Sequence, residues 1–355
     1  MVLLIAVFVL VLLLQPTSSL SQLLLGRFIH LELEEVATLN TTETVSRLLK
    51  VDDELVSVHP GSYFEIDPQK VEDSQNHTAP ITQAMVDGAG KYRLFYQQNG
   101  QSLKLCNNGT ETASIDTEFP ILTASVNGRG NVTVVTEDSG HKSRVTVYQK
   151  EGEPIFRWHS GAQLVTDAAM NRSIKRLAVC TLAVDHTTPR AYLKVFDTAV
   201  TAPLVELDLG ERIPVSIAFT DDNLVVVWFS DGVALFNQQG GKVSDVTLSG
   251  ALKGWDMTDK KFTRLLVSDG GTDSLLLYNG NTEIGRYDSG SELRLVSACK
   301  NLTAVSEMNR ILLLNRKGEV LATYEAGHDI QHLALLSDKL LVYGIGNELK
   351  FLKIK

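Results

Sequence analysis

The chain has little cysteine. Its 355 residues contain three, Cys106, Cys180 and Cys299, irregularly spaced. An odd, scattered set excludes a disulfide framework, and the lack of a CxxC pair excludes the common zinc motifs. Each sits at or near a strand-forming run and is read as a small buried hydrophobe. Positive charge is also scarce: 33 Lys and Arg stand against 42 Asp and Glu, for a net charge of -9. Lys260-Lys261 and Arg316-Lys317 are isolated pairs, and a nucleic-acid partner is excluded because phosphate binding needs clustered cations. There is no GxSxG, HExxH or P-loop, and no GxGxxG opening a helix. The eight histidines are scattered. His328 and His332, four apart at the start of a strand, would lie about 13 Å from each other, too far to share a metal. No residue is therefore assigned as catalytic or as a metal ligand, and no cofactor is expected.

What the chain does contain is a repeat. An Asp or Asn follows a small residue in ITQAMVD (Asp87), ILTASVN (Asn127), VTDAAMN (Asn171), VSIAFTD (Asp221) and KGWDMTD (Asp259). Weaker copies stand at Lys300 and at Ser337 or Asp338, and LLKVDD around Asp52 reads as a degenerate first copy. A strand-built period of roughly 40 to 45 residues predicts a β-propeller. Closed all-β folds often reach this length as one domain. With 44% hydrophobic and 21% charged residues, the composition suits a packed core rather than long disorder.

The copy beginning near Arg212 is the cleanest. VSIAFT is a first strand, and Asp221-Asp222-Asn223 a turn whose side chains can bond their own backbone. LVVVWFS is a continuous apolar strand, as expected where both faces are covered. Asp231-Gly232 supplies a hairpin turn, VALFN the third strand, and KVSDVTLS the outer one. The same order recurs over 264–287 and 302–324. First strands carry a column of small residues, Ala84, Ala124, Ala168, Ala218, Asp256, Ser297 and Ala334, as crowding near a propeller axis requires. Polar departures on these strands, Asp167, Trp255, Asp256, Arg294 and His332, are the candidate ligand-binding residues.

The last repeat supplies three strands, which would leave an edge open to another chain. FIHLELEEVATL (28–39) is rich in strand formers and is expected to supply the fourth, closing a propeller domain over 26–355. The fold class is thus all-β, a single propeller of four-stranded blades preceded by an N-terminal apolar helix. Eight blades are favoured, and seven if 41–78 is not a full blade.

Val2 to Leu14 is an uncharged apolar run. As a helix it would extend about 20 Å, against a hydrocarbon core of about 30 Å. Residues 1–25 reach spanning length only by including Gln15, Ser18, Ser19, Ser21 and Gln22. The run also fits the apolar part of a signal peptide, with Ser19 and Ser21 near a cleavage point. Both readings expect Lys or Arg before the run; none is present, which fits a start lying upstream. Anchor or cleaved signal, either would export the body; a buried core helix is the third reading.

The segments LNRKGEVLATY (314–324) and YQKEGEPIFRW (148–158) resemble the broad PQQ-like and WD40-like propeller superfamily. The whole layout, with NHTAPITQAMVDGAGKYRLFYQQNG (76–100) after an irregular first blade, is similar to an uncharacterised family of membrane-anchored propellers of Gram-positive anaerobes. The resemblance implies an extracytoplasmic propeller on a single-pass tether, or a secreted one, with no known substrate. The chain departs from quinoprotein dehydrogenases in having no adjacent cysteines and three Trp. It departs from WD40 proteins in placing its one Trp-Asp, Trp255-Asp256, in a first strand. The expected function is a binding or scaffolding module for a protein or glycan partner at the cell envelope. The alternative is a metal-assisted lactonase-like or sugar-active hydrolase at the funnel, with Asp167, Asp256 and His332 as actors.

Overall fold

The computed structural model describes His30–Lys355 apart from Asp53, Gln69, His186, Lys260 and Lys261. The segment read as anchor or signal, residues 1–25, lies outside the described residues. Among the described residues no helix is long and apolar enough to cross a membrane.

Eight four-stranded sheets follow one another along the chain, making an eight-bladed β-propeller. Blade 1 takes its strands from residues 47–78, blade 2 from 85–116, blade 3 from 121–160 and blade 4 from 164–210. Blade 5 spans 214–247, blade 6 spans 251–289 and blade 7 spans 293–325. Blade 8 joins three strands over 332–354 to Leu33–Asn40 from the other end of the chain. Leu33 lies opposite Ile354 and Asn40 opposite Glu348, with a bulge between Glu35 and Ala37. Residues 41–78, doubtful as a full blade in sequence, do make four strands.

Blade 5 shows how the sequence dictates burial. Val225–Phe229 and Gly232–Phe236, both continuous apolar runs, are buried at every position. The outer strand Lys242–Thr247 is more polar, and only Ser244 and Val246 on it are buried. Apolar content therefore falls from the middle strands to the outer one, as covered faces give way to solvent.

Two compact units divide the chain. One comprises the chain through Leu55, Ile66–Ser74 and Gly250–Lys355; it holds a core around Leu302, Ile311, Leu335 and Leu341 and another around Leu266, Leu275 and Val305. The other comprises Val56–Glu65 and Gln75–Ser249, with cores around Leu94 and Val132, Val179 and Phe196, and Val225 and Phe236.

The turns are made by the residues that turns need. Asp269 pairs with Thr272 across Gly270 and Gly271, whose φ values of 58° and 91° suit a two-residue hairpin turn. Asn127 Oδ1 accepts the amides of Arg129 and Asn131, and Asn171 Oδ1 those of Lys175 and Arg176. At these two copies the repeat marker is a turn former. Asp87 differs: it lies within the strand Met85–Ala89. Ala84 of the small-residue column precedes that strand.

Gly232 has φ 145°, and a Cβ there would fall 2.0 Å from the Val246 carbonyl oxygen. A backbone oxygen in a ladder cannot retreat cheaply. Gly232→Ala is expected to cost about 2 kcal/mol or more, the scale of backbone strain alone. Thermal unfolding should show a fall of several degrees, and an unchanged midpoint would refute this.

Candidate functional site

Asp167 lies on the first strand of blade 4, Leu164–Met170, directly after a bulge between Val165 and Asp167. Bulges re-aim side chains, and this carboxylate meets the first strand of blade 5. Oδ2 accepts the Ile217 amide at 3.0 Å and the Ser216 hydroxyl at 3.1 Å. Oδ1 accepts the amide of Ala168 at 2.9 Å. Burial pushes the carboxyl up to about 6, against the pull of the Ile217, Ala168 and Ser216 bonds.

The same device recurs. Asp87 of blade 2 accepts the Val126 amide of blade 3 at 2.8 Å. Asp256 of blade 6 accepts the Ala298 amide of blade 7 at 2.7 Å. Ser297 of blade 7 accepts the Leu335 amide of blade 8 at 2.9 Å. First strands of successive blades belong to different sheets. A first-strand amide facing the preceding blade has no ladder partner, and a buried donor must find one. The polar departures at Asp256 and Ser297 therefore fasten neighbouring blades.

Asp256 sits opposite Arg264 in the strand register. Burial raises its carboxyl above the ordinary range, opposed by the Ala298 amide and by the charges of Lys50 and Arg264. Arg264 is fully buried. Its guanidinium donates to the carbonyls of Phe262 at 3.1 Å and Lys300 at 2.6 Å, and lies 3.6 Å from the Phe262 ring centroid. Lys50 Nζ donates to the carbonyls of Ala298 at 3.2 Å and Leu335 at 2.8 Å. Two cations and one carboxylate thus join the first strands of blades 1, 7 and 8 to blade 6.

The remaining predicted residues have separate surroundings. Arg294 is exposed and pairs with Glu292 at 3.0 Å and Asp329 at 3.2 Å. His332 Nε2 donates to the Val45 carbonyl at 2.9 Å, which fixes the ring's tautomer. Trp255 is half-buried opposite Leu265. Of the five, then, Asp256 gains the Lys50 and Arg264 charges; Asp167, Arg294 and His332 each answer to their own neighbours.

The cysteines are free thiols, Cys106 and Cys180 buried and Cys299 partly so. Burial first, then the Glu111 charge, pushes the Cys106 thiol up to about 11, and burial raises Cys180 as well. Neither is a ready nucleophile, because the thiolate is the reactive form.

Sequence reasoning missed one constellation, in blade 3. Asp138 and His141 occupy the connection between the second strand, Val132–Thr136, and the third, Ser143–Tyr148. His159 lies on the outer strand Pro154–Ser160, opposite Arg144. One ligating atom from each of Asp138, His141 and His159 falls within 4.8 Å of the other two. Asp138 Oδ2 stands 2.5 Å from His159 Nδ1 and 3.3 Å from His141 Nδ1. Oδ1 is engaged on the other side, accepting the Ser139 amide at 2.9 Å with Arg144 Nε at 3.9 Å. Burial would raise the Asp138 carboxyl, but the His159 bond and charge, the Ser139 amide and Arg144 outweigh it and hold it low. The only signal in the sequence is Asp-x-x-His in a loop; the hairpin register, visible in the structure, carries His159 back beside it.

The fold is shared with proteins of distant sequence. BamB from Moraxella catarrhalis aligns at 13% identity over 91% of this chain and 98% of its own, with a TM-score of 0.63. The C-terminal WD40 domain of Sif2 aligns at 13% identity over 92% of this chain and 99% of its own, also at 0.63. Quinohemoprotein alcohol dehydrogenase from Comamonas testosteroni aligns at 10% identity over 90% of this chain and 76% of its own, at 0.62. At such identities the likeness shows the fold alone. No curated protein matches the chain in sequence. Residues 31–344 match the profile described as "Family of unknown function (DUF5711)", and the chain belongs to that family.

Proposed function

We propose that this protein is a binding propeller without catalytic activity, held outside the cytoplasm by its N-terminal apolar segment and engaging a protein or glycan at the cell envelope. The observation that carries this reading is the engagement of Asp167 and Asp256. A hydrolase built on the first strands would need such carboxylates turned toward a substrate, and here both accept backbone amides of the next blade. A WD40 domain and a quinohemoprotein dehydrogenase share the architecture, so the fold admits both binding and chemistry. The uncharged run Val2 to Leu14 supports export.

The test is crosslinking on intact cells of the host, with recovery of the chain from envelope fractions. A reproducible partner and cleavage of the propeller by added protease are expected. Asp256→Asn should leave partner recovery intact, since that side chain faces the next blade. Protection from protease, or recovery of the chain alone under several crosslinkers, would overturn the proposal.

A further inference from the structure

The cluster in blade 3 has no part in that function. Its three side chains are of the kinds that ligate borderline transition metals: two imidazoles and a carboxylate. They come from two places in the chain, the loop at Asp138 and His141 and the outer strand at His159, so the grouping is tertiary and not a by-product of sequence proximity. Asp138 is held rather than merely present. Its side chain is 5% exposed, and the Ser139 amide with Arg144 engages Oδ1, so Oδ2 is presented to both imidazoles. Arg144 is itself engaged by Glu118 at 3.0 Å and lies 4.8 Å from the Phe119 ring centroid, so its charge is already partly answered. The imidazole rings lie with centroids 5.0 Å apart and planes tilted by 43°.

We infer that Asp138, His141 and His159 form a binding site for a divalent transition ion of the zinc class, with coordination positions left open to solvent. Ligand bonds of about 2.0 to 2.2 Å to nitrogen and oxygen set the donors of a tetrahedral site somewhat over 3 Å apart. The 3.3 Å between His141 Nδ1 and Oδ2 already meets this; the 2.5 Å to His159 Nδ1 is a proton-bridged distance that must widen when an ion replaces the proton. The histidine side chains are 43% and 39% exposed, which gives the ion an entry path and leaves room for water beside it. Three protein ligands with an open position are the arrangement of an ion that can accept a further ligand, whereas structural zinc sites are closed by four. Calcium and magnesium prefer oxygen ligands, so the two nitrogens select against them.

The experiment is calorimetric titration of zinc chloride into the full chain, freed of any histidine tag and stripped with chelator. Saturable uptake of one zinc per chain is expected, with no comparable response to calcium or magnesium. His159→Gln should weaken uptake by at least the roughly 10–100-fold lost when a mere orienting partner of a ligand is removed. His141→Ala, on an exposed connection, should do the same without disturbing the fold. His328→Gln, an exposed histidine elsewhere, should bind as the parent does. Absence of zinc uptake, equal uptake by the His141 and His159 variants, or an equal response to calcium would each overturn the inference. None of these outcomes bears on the envelope partner, so the two readings fail separately.

Discussion

Arg264→Ala is expected to destabilise the protein by about 4 kcal/mol, because it leaves two buried carbonyls unpaired at about 1–3 kcal/mol each. Arg264 is fully buried, and its guanidinium holds two carbonyls, the face of Phe262 and the charge beside Asp256. The truncation abandons those carbonyls, removes a cation from the neighbourhood of a buried carboxylate and opens a void. Arg264→Lys should recover little of this loss, because an ammonium lacks the planar fork that reaches both carbonyls while stacking on the ring. Denaturant unfolding followed by fluorescence would measure it, with Trp255 on the neighbouring strand as a local reporter. A loss below about 1 kcal/mol, the scale of an exposed ion pair, would show that the guanidinium is not a structural centre.

The second large effect is a pH dependence. The Asp167 carboxyl stands at about 6 in the folded protein, against about 3.9 when unfolded. A carboxyl raised by folding holds its proton more tightly in the folded state. Its favourable contribution is therefore complete below the unfolded pKa and is lost as pH rises through about 6. Two pKa units correspond to about 3 kcal/mol in all, of which roughly 2 kcal/mol is lost between pH 4 and 7. Asp167→Asn removes this titration and keeps one acceptor oxygen. Asp167 accepts from two amides, Ile217 and Ala168, through different oxygens. The amide variant satisfies one of them, at a constant cost of about 1–3 kcal/mol. The signature is accordingly in the slope: the parent should lose stability relative to the Asp167→Asn variant as pH rises from 4 to 7. Parallel curves would refute the raised carboxyl.

The blades were legible because their causes are local. LVVVWFS has to be covered on both faces, and Asp-Gly-Gly-Thr has to turn, whatever surrounds them. The eightfold count followed from the spacing of such segments, and Arg47–Val51 through Gln75–Thr78 completed it despite an irregular sequence. The polar side chains on first strands were legible as exceptions but not as fasteners. What Asp167 does depends on the amide of Ile217, 50 residues away, and on a bulge that turns its carboxylate. The blade 3 cluster was hidden for the same reason. His159 meets Asp138 through the pairing of Arg144 with His159, a register that spacing alone leaves open.

The pairing of Leu33–Asn40 with Glu348–Ile354 has a consequence during synthesis. The first of these strands leaves the ribosome long before its partner exists. With Glu348 following Asn40 by 308 positions (348 − 40), translation at roughly 5–20 residues per second imposes a wait of about 15–60 s. Throughout that interval the segment is an unpaired strand beside blades already able to form. Its acidic residues Glu34 and Glu35, with Glu32 just before them, are the kind of charge that discourages a waiting strand from joining a stranger. Blade 8 is thus a timer as well as a closure: it can be completed only once Glu348–Ile354 has been synthesised.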